Sequence, residues 1–218
     1  MINNIIKEEK IIIGLCGKKF SGKSTFGKYV KDKYNFNIYS FGENLKKALK
    51  DIFYFSDDEV NGNKKEIINE YWNLTPREIM QYFGTELMRE NFGNHFPNIG
   101  DKIWIKSLEF KLINDIQYNN INKIIIDDVR FNNEISWIKS FGLKYNFKTF
   151  IININNINLN NIKDNNDNIK DNNEEKFLKH KSETEKLNYE YTINNNKDNY
   201  IDFYNNIDNL FLSIKIEN

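Results

Sequence analysis

One cysteine, two histidines and three arginines stand in a chain of 218 residues, and its acidic and basic residues balance at 31 each. The lone Cys16 excludes an internal disulfide and fits a reducing compartment. Zero net charge argues against a nucleic-acid backbone as a stable partner, because such partners select a basic excess. No apolar run approaches the ~20 residues of a membrane span. The start, "MINNIIKEEK", lacks the apolar core and small-residue cleavage site of a signal peptide. No internal repeat is visible. These absences predict a soluble intracellular domain without a membrane partner.

Asparagine, isoleucine and lysine are over-used, as a strongly AT-rich coding sequence would produce. Against 28 lysines the three arginines, Arg77, Arg89 and Arg130, become informative. Lysine supplies generic positive charge, whereas the planar arginine fork suits bidentate recognition of phosphate or carboxylate.

Strands are expected at 10–15, 36–41, 123–127, 147–153 and 189–194. Helices are expected at 22–34, 43–54, from Thr75 onward, from about Asp101, at 131–142 closing on Gly142, and at 198–216. Thr75, Pro76 and Glu78 form a helix start with a capping box. Trp104, Leu108, Leu112 and Ile116 recur at i+4 as a buried stripe. Residues 55–66 read as a polar loop. In 153–173, 11 of 21 residues are asparagine, which predicts a mobile loop. Strands alternating with helices predict an α/β domain with a central parallel sheet covered on both faces.

The stretch "IIIGLCGKKFSGKST" (11–25) places Gly17, Gly22, Lys23 and Ser24 in the pattern G-x-x-x-x-G-K-[ST], between a strand and a helix. Such a loop wraps backbone N–H groups around phosphate oxygens at a helix N-terminus. Gly17, Ser21, Gly22, Lys23, Ser24 and Thr25 are the candidate ATP-phosphate contacts. Lys23 neutralises the β- and γ-phosphates, and Ser24 ligates Mg²⁺. Lys18 and Lys19 add two cations, one of them available to a second anionic substrate; the plain alternative is a pair of solvated lysines.

"IIIDDVRFNNE" carries Asp127 and Asp128 to the C-terminal edge of a buried strand, where open parallel sheets bind ligands. Either acid could serve a metal, and Arg130 could reach a phosphate in the same cleft. The alternative is an aspartate capping the next helix and paired with Arg130. Arg77, Gln81 and Thr85 lie at i, i+4 and i+8, sharing a helix face beside Gly84, with Ile79, Phe83 and Leu87 opposite. Arg89 lies about 120° around from Arg77 at ~100° per residue. A fork, an amide and a hydroxyl on one face suit a phosphate and a base; a solvated polar face is the alternative.

Four pieces in order, "GLCGKKFSGKST", "TPREIMQYFGTELMRE" with the downstream Trp104, "DDVRFNNE" and "HKSE", resemble the deoxynucleoside monophosphate kinase family of bacteriophages and large DNA viruses. They extend from about residue 11 to 184. The resemblance implies a three-layer P-loop, adenylate-kinase-like fold in one domain over 1–218. It would have a helical acceptor-binding region at about 42–120 and a mobile lid with the Asn-rich insertion at about 153–186. It further implies transfer of the γ-phosphoryl of ATP to a deoxynucleoside monophosphate, with ATP and Mg²⁺ as cofactors. Lys23, Asp128 and Arg130 are then catalytic, with Ser24 and Asp128 on the metal. Lys19, Phe41, Arg77, Gln81, Arg89 and Arg130 go to the acceptor, and His180 and Ser182 to the lid. The family pattern also implies a cytoplasmic setting, that of a host if the source is viral, and leaves a homodimer open.

The lid departs from the common pattern, since 153–186 contains no arginine and six lysines. A phosphomevalonate-kinase-like enzyme of the same fold and a non-kinase P-loop NTPase are the rival readings. A guanine-dependent switch would want [NT]-K-x-D, which is absent.

Overall fold

A computed structural model describes residues 9–157, 184–196 and 199–216. Two compact units emerge. One holds 9–39, 113–157 and the described residues from 186 to 216, and the other is centred on 40–112.

The first unit is built on five strands: β1 (Ile11–Cys16), β2 (Asn37–Tyr39), β3 (Lys123–Ile126), β4 (Lys148–Asn156) and β5 (Tyr191–Asn195). All pair in parallel in the order β2-β3-β1-β4-β5. All six residues of β1 are buried, as expected of a parallel strand with helices on both faces. Ile11, Ile13 and Leu15 face the large core cluster. That cluster takes Phe26, Val30 and Tyr34 from α1 (Lys23–Tyr34), and Phe203, Ile207 and Phe211 from α8 (Tyr200–Ser213). The Phe211 ring meets Phe26, Tyr34 and Phe36 at centroid distances of 6.1, 4.7 and 6.1 Å. On the opposite face Gly14 lies against Ile138 of α7 (Asn132–Tyr145), where a Cβ would come within 2.8 Å of Ile138 Cδ1. The unit is therefore an α/β sandwich of three layers.

The second unit contains α2 (Glu43–Phe53), α3 (Asp57–Val60), a 3₁₀ turn at Asn63–Glu66, α4 (Pro76–Gln81), a π-helical segment Tyr82–Asn91, α5 (Phe92–His95) and the start of α6 (Ile103–Asn119). Leu49, Phe55, Val60, Ile79 and Met80 form its small core, with Leu45, Phe53 and Phe83 against them.

Several elements differ from expectation. The stretch 55–66 is not a loop, because Glu59 Oε2 accepts from the Ser56 N–H and hydroxyl, both at 2.8 Å, and starts α3. α7 does not close on Gly142. It runs to Tyr145 and ends on Asn146 in the left-handed conformation, φ 61°. Gly142 is instead required by packing, because a Cβ there would run into Thr149 Cγ2 of β4. The Asn-rich tract begins as sheet: Asn153 to Asn156 continue β4 in register with β5. The remainder of that tract to 173, His180 and Ser182 lie outside the described residues. Of the i+4 stripe on α6, Leu108 and Leu112 are buried, joined by Ile105, while Trp104 and Ile116 are half-buried. Among the described residues no helix is long and apolar enough to cross a membrane.

One polar cluster joins α1 to α8. Asp208 accepts from Lys33 Nζ at 2.7 Å, from the Tyr34 hydroxyl at 2.7 Å, and from the Tyr29 hydroxyl at 2.9 Å. The Tyr29 ring stacks on Tyr204 at 4.2 Å. Burial alone would raise the Asp208 carboxyl, but the bonds from Lys33, Tyr34 and Tyr29 outweigh it and hold it below the ordinary carboxylate value. A lowered folded pKa contributes stability that is present above the unfolded value of about 3.9 and is lost as pH falls through the folded value. Asp208→Asn should lower Tm by roughly 2–8 °C at pH 7, from a loss of about 1–2 kcal/mol. It should also flatten the acid limb of the stability profile, measured by thermal melts from pH 3 to 7.

Candidate active site

β1 runs out at Cys16, and the chain leaves the sheet through two glycines that its floor requires. Gly17 has φ 140°, and a Cβ there would lie 2.5 Å from the Ile154 carbonyl oxygen and 2.8 Å from Ser21 Oγ. Gly22 has φ 108° and lies hard against the Asn195 amide. Both values are in the region that only glycine adopts without strain. Between them Ser21 N–H donates to the Lys18 carbonyl at 3.1 Å, closing the turn.

α1 starts immediately after, with Gly22 at its N-cap and no side chain capping it. Thr75 with Glu78 caps α4 and Asn199 caps α8, whereas α2, which starts on Gly42, like α1 has no side-chain cap. An uncapped helix start beneath a glycine loop leaves N–H groups and the positive end of the helix dipole for an external anion. Lys23 Nζ arches back over the loop, donating to the carbonyls of Gly17 at 2.6 Å and Lys18 at 2.9 Å. Ser21 Oγ is buried and has no hydrogen-bond partner among the described residues. Ser24 is exposed, Thr25 half-buried, and Lys19 Nζ lies 4.8 Å from the centroid of the exposed Phe20 ring.

Cys16, one residue before the loop, is buried and donates weakly to the Ile152 carbonyl at 3.6 Å. Burial pushes its thiol up to about 11, partly offset by the Lys23 charge and the Cys16 backbone. The thiol is therefore protonated and unreactive at neutral pH.

β3 lies beside β1, so Asp127 and Asp128 emerge at the same sheet edge as the loop. Two backbone bonds set their course. Asp127 N–H donates to the Tyr39 carbonyl, and Val129 N–H donates to the Leu15 carbonyl, both at 3.0 Å. Asp128 and Arg130 are half-buried. The helix cap here is not an aspartate. Glu134, buried at 3 % exposure, accepts from the Arg130 N–H at 2.8 Å and the Phe131 N–H at 3.1 Å. The motif's final glutamate, in the first turn of α7, thus holds the peptide that carries Arg130. Asn132, at the head of the same helix, donates to the Lys186 carbonyl at 2.8 Å and accepts from Asn188 N–H at 3.1 Å. That ties the chain entering β5 to this corner.

Hard oxygen donors are available for a divalent cation in the Ser24 hydroxyl and the Asp128 carboxylate. Among the described residues no group of three His, Cys, Asp or Glu side chains could hold a metal alone. This donor set fits Mg²⁺, which takes one or two protein oxygens and completes its shell with phosphates and water.

In the second unit Arg77 is half-buried and its Nε donates to Glu66 Oε1 at 3.1 Å. This carboxylate offsets an arginine that the helix dipole disfavours in a first turn. Gln81 is half-buried, and Phe41, Thr85 and Arg89 are buried at 4, 7 and 5 % exposure. The ~100° per residue that puts Arg89 about 120° around from Arg77 does not apply here, because residues 82–91 are π-helical. Trp104 Nε1 donates to the Gly84 carbonyl at 2.8 Å, an insertion of the kind that breaks an i→i+4 ladder. Gly84 permits a close approach of Leu45, whose Cδ2 would lie 2.8 Å from an added Cβ. Leu87, expected in the core face, is exposed at 40 %.

No protein-family model matches the chain. A protein of Acanthamoeba polyphaga mimivirus named "Putative deoxynucleotide monophosphate kinase" is 38 % identical over 137 residues, covering 61 % of this chain and 70 % of that protein. A crystal structure from Thermus thermophilus aligns over 94 % of this chain and 98 % of its own, at 12 % identity and a TM-score of 0.43, too remote to bear on function.

Glu134→Ala should cost about 1–3 kcal/mol by leaving two N–H groups of the Arg130 corner without their acceptor, read by urea denaturation. Cys16 should resist a thiol reagent at pH 8 until the protein is unfolded. Because its folded pKa is raised, its contribution holds below the unfolded value near 8.5 and is lost as pH rises toward 11.

Proposed function

The chain belongs to the deoxynucleotide monophosphate kinase family, and we propose on that footing that it transfers the γ-phosphoryl of ATP to a deoxynucleoside monophosphate, yielding the diphosphate. The observation that carries this reading is the pairing of two neighbouring strand ends. One bears an uncapped glycine loop with Lys23 arched over it, and the other bears Asp128 and Arg130 on a corner braced by Glu134.

Gly17 and residues 21–25 would cradle the ATP phosphates through backbone N–H groups and the Ser21, Ser24 and Thr25 hydroxyls. The Lys23 ammonium would trade its two carbonyl partners for phosphate oxygens. Ser24 and Asp128 would hold Mg²⁺, which when bound neutralises charge on the transferring phosphates. Arg130 would offer its fork to the moving phosphoryl group. Lys19, Phe41, Arg77, Gln81 and Arg89 are the acceptor set, with Arg77 exchanging Glu66 for the monophosphate. The acceptor is already an anion, so no strong general base is required.

Coupled ADP release from ATP, with each deoxynucleoside and ribonucleoside monophosphate offered in turn, tests the reading directly. Acceptor-dependent turnover with at least one deoxynucleotide is expected, and turnover with phosphomevalonate alone would replace the acceptor assignment. Arg77→Ala and Arg130→Ala should each cost about 1.5–3 kcal/mol in kcat/KM. Glu66→Gln, by releasing Arg77, should lower KM for the monophosphate.

A further inference from the structure

We propose that Asn156 and Asn195 are positioning residues that set the shape of the ATP-phosphate loop from below, an inference that rests on the reading that this loop holds ATP. The two residues are register partners at the ends of β4 and β5. Alternate residues of a strand share a face, so Asn156 continues the row of Ile152 and Ile154, and Asn195 that of Ile193. Those isoleucines belong to the core cluster under α1 and α8. At the last position both rows change from isoleucine to asparagine, at 3 and 2 % exposure.

Each amide donates to one of two consecutive loop carbonyls. Asn156 Nδ2 meets the Phe20 oxygen at 3.2 Å, and Asn195 Nδ2 meets the Ser21 oxygen at 2.8 Å. In a trans peptide the N–H opposes the C=O. Drawing the Ser21 carbonyl down onto β5 therefore turns the Gly22 N–H away from the sheet, toward the side where a phosphate would lie. Asn195 Oδ1 is buried without a partner among the described residues. Burying it costs free energy that an apolar side chain would not, so the donated bond is what the position requires. Asparagine abundance does not account for this pair. One residue back, the Asn155 amide donates to Asn194 Oδ1 at 3.1 Å on the exposed side, and neither side chain is shown bonding to the loop.

Calorimetric titration with Mg·ATP, and separately with the deoxynucleoside monophosphate that supports turnover, tests the proposal. Asn156→Ala and Asn195→Ala should each raise Kd for ATP about five- to twentyfold while Kd for the monophosphate changes less than twofold. Asn155→Ala and Asn194→Ala should change neither. Asn195→Asp keeps the shape and replaces the donor by an acceptor facing the Ser21 carbonyl. It should match Asn195→Ala, and it serves if the alanine variant does not fold. A structural role alone would lower Tm and the active fraction and leave ATP affinity intact; that result in the folded variants overturns the proposal. A wild-type protein that binds no ATP would overturn the kinase reading itself, and this inference with it.

Discussion

β1 is buried on both faces and hydrogen-bonded along both edges, and that single constraint organises the first unit. With β3 on one side and β4 on the other, the chain can turn off the sheet only beyond Cys16. The turn must also clear the Ile154 carbonyl, where a side chain at Gly17 would collide. A strand so enclosed delivers its loop to one place at the sheet edge with little freedom. The neighbouring strand β3 then brings its acids to the same edge.

Hydrogen bonds hold two of the charged groups around that edge. Lys23 is held by two carbonyls, and the peptide carrying Arg130 by the Glu134 carboxylate. Two of the three arginines in the chain have a visible carboxylate behind them, Arg77 in the second unit and Arg130 in the first. Glu66 backs Arg77 directly, and the cap made by Glu134 backs Arg130 through its own peptide. Such bracing matters in phosphoryl transfer, where positioning and preorganised charge supply most of the catalysis.

The glycine loop, the parallel sheet and the acid-rich end of β3 were legible in the sequence, because each follows from a local pattern: two glycines at fixed spacing, an unbroken isoleucine run, and acids after it. The π-helical segment was not. Within it the Gly84 carbonyl accepts from the indole of Trp104, 20 residues downstream; no period within 76–91 announces either. Glu134 was visible as a letter of the motif, but its carboxylate could be assigned to a cap only once Arg130 and Phe131 were seen to turn their N–H groups toward it.

Asparagine marks the boundary between the two kinds of information. From sequence alone the Asn-rich tract is compositional noise, and nothing local separates Asn155 from Asn156 or Asn194 from Asn195. Strand pairing separates them, because the pleat sends one of each pair to solvent and the other beneath the loop. The residue types and spacings determined by themselves that a glycine loop would follow a buried strand, since backbone sterics and hydrophobic period are properties of neighbours in the chain. Which amides floor that loop, and where the helix carrying Arg89 widens, only the tertiary structure decided, because those contacts join residues that are distant in sequence.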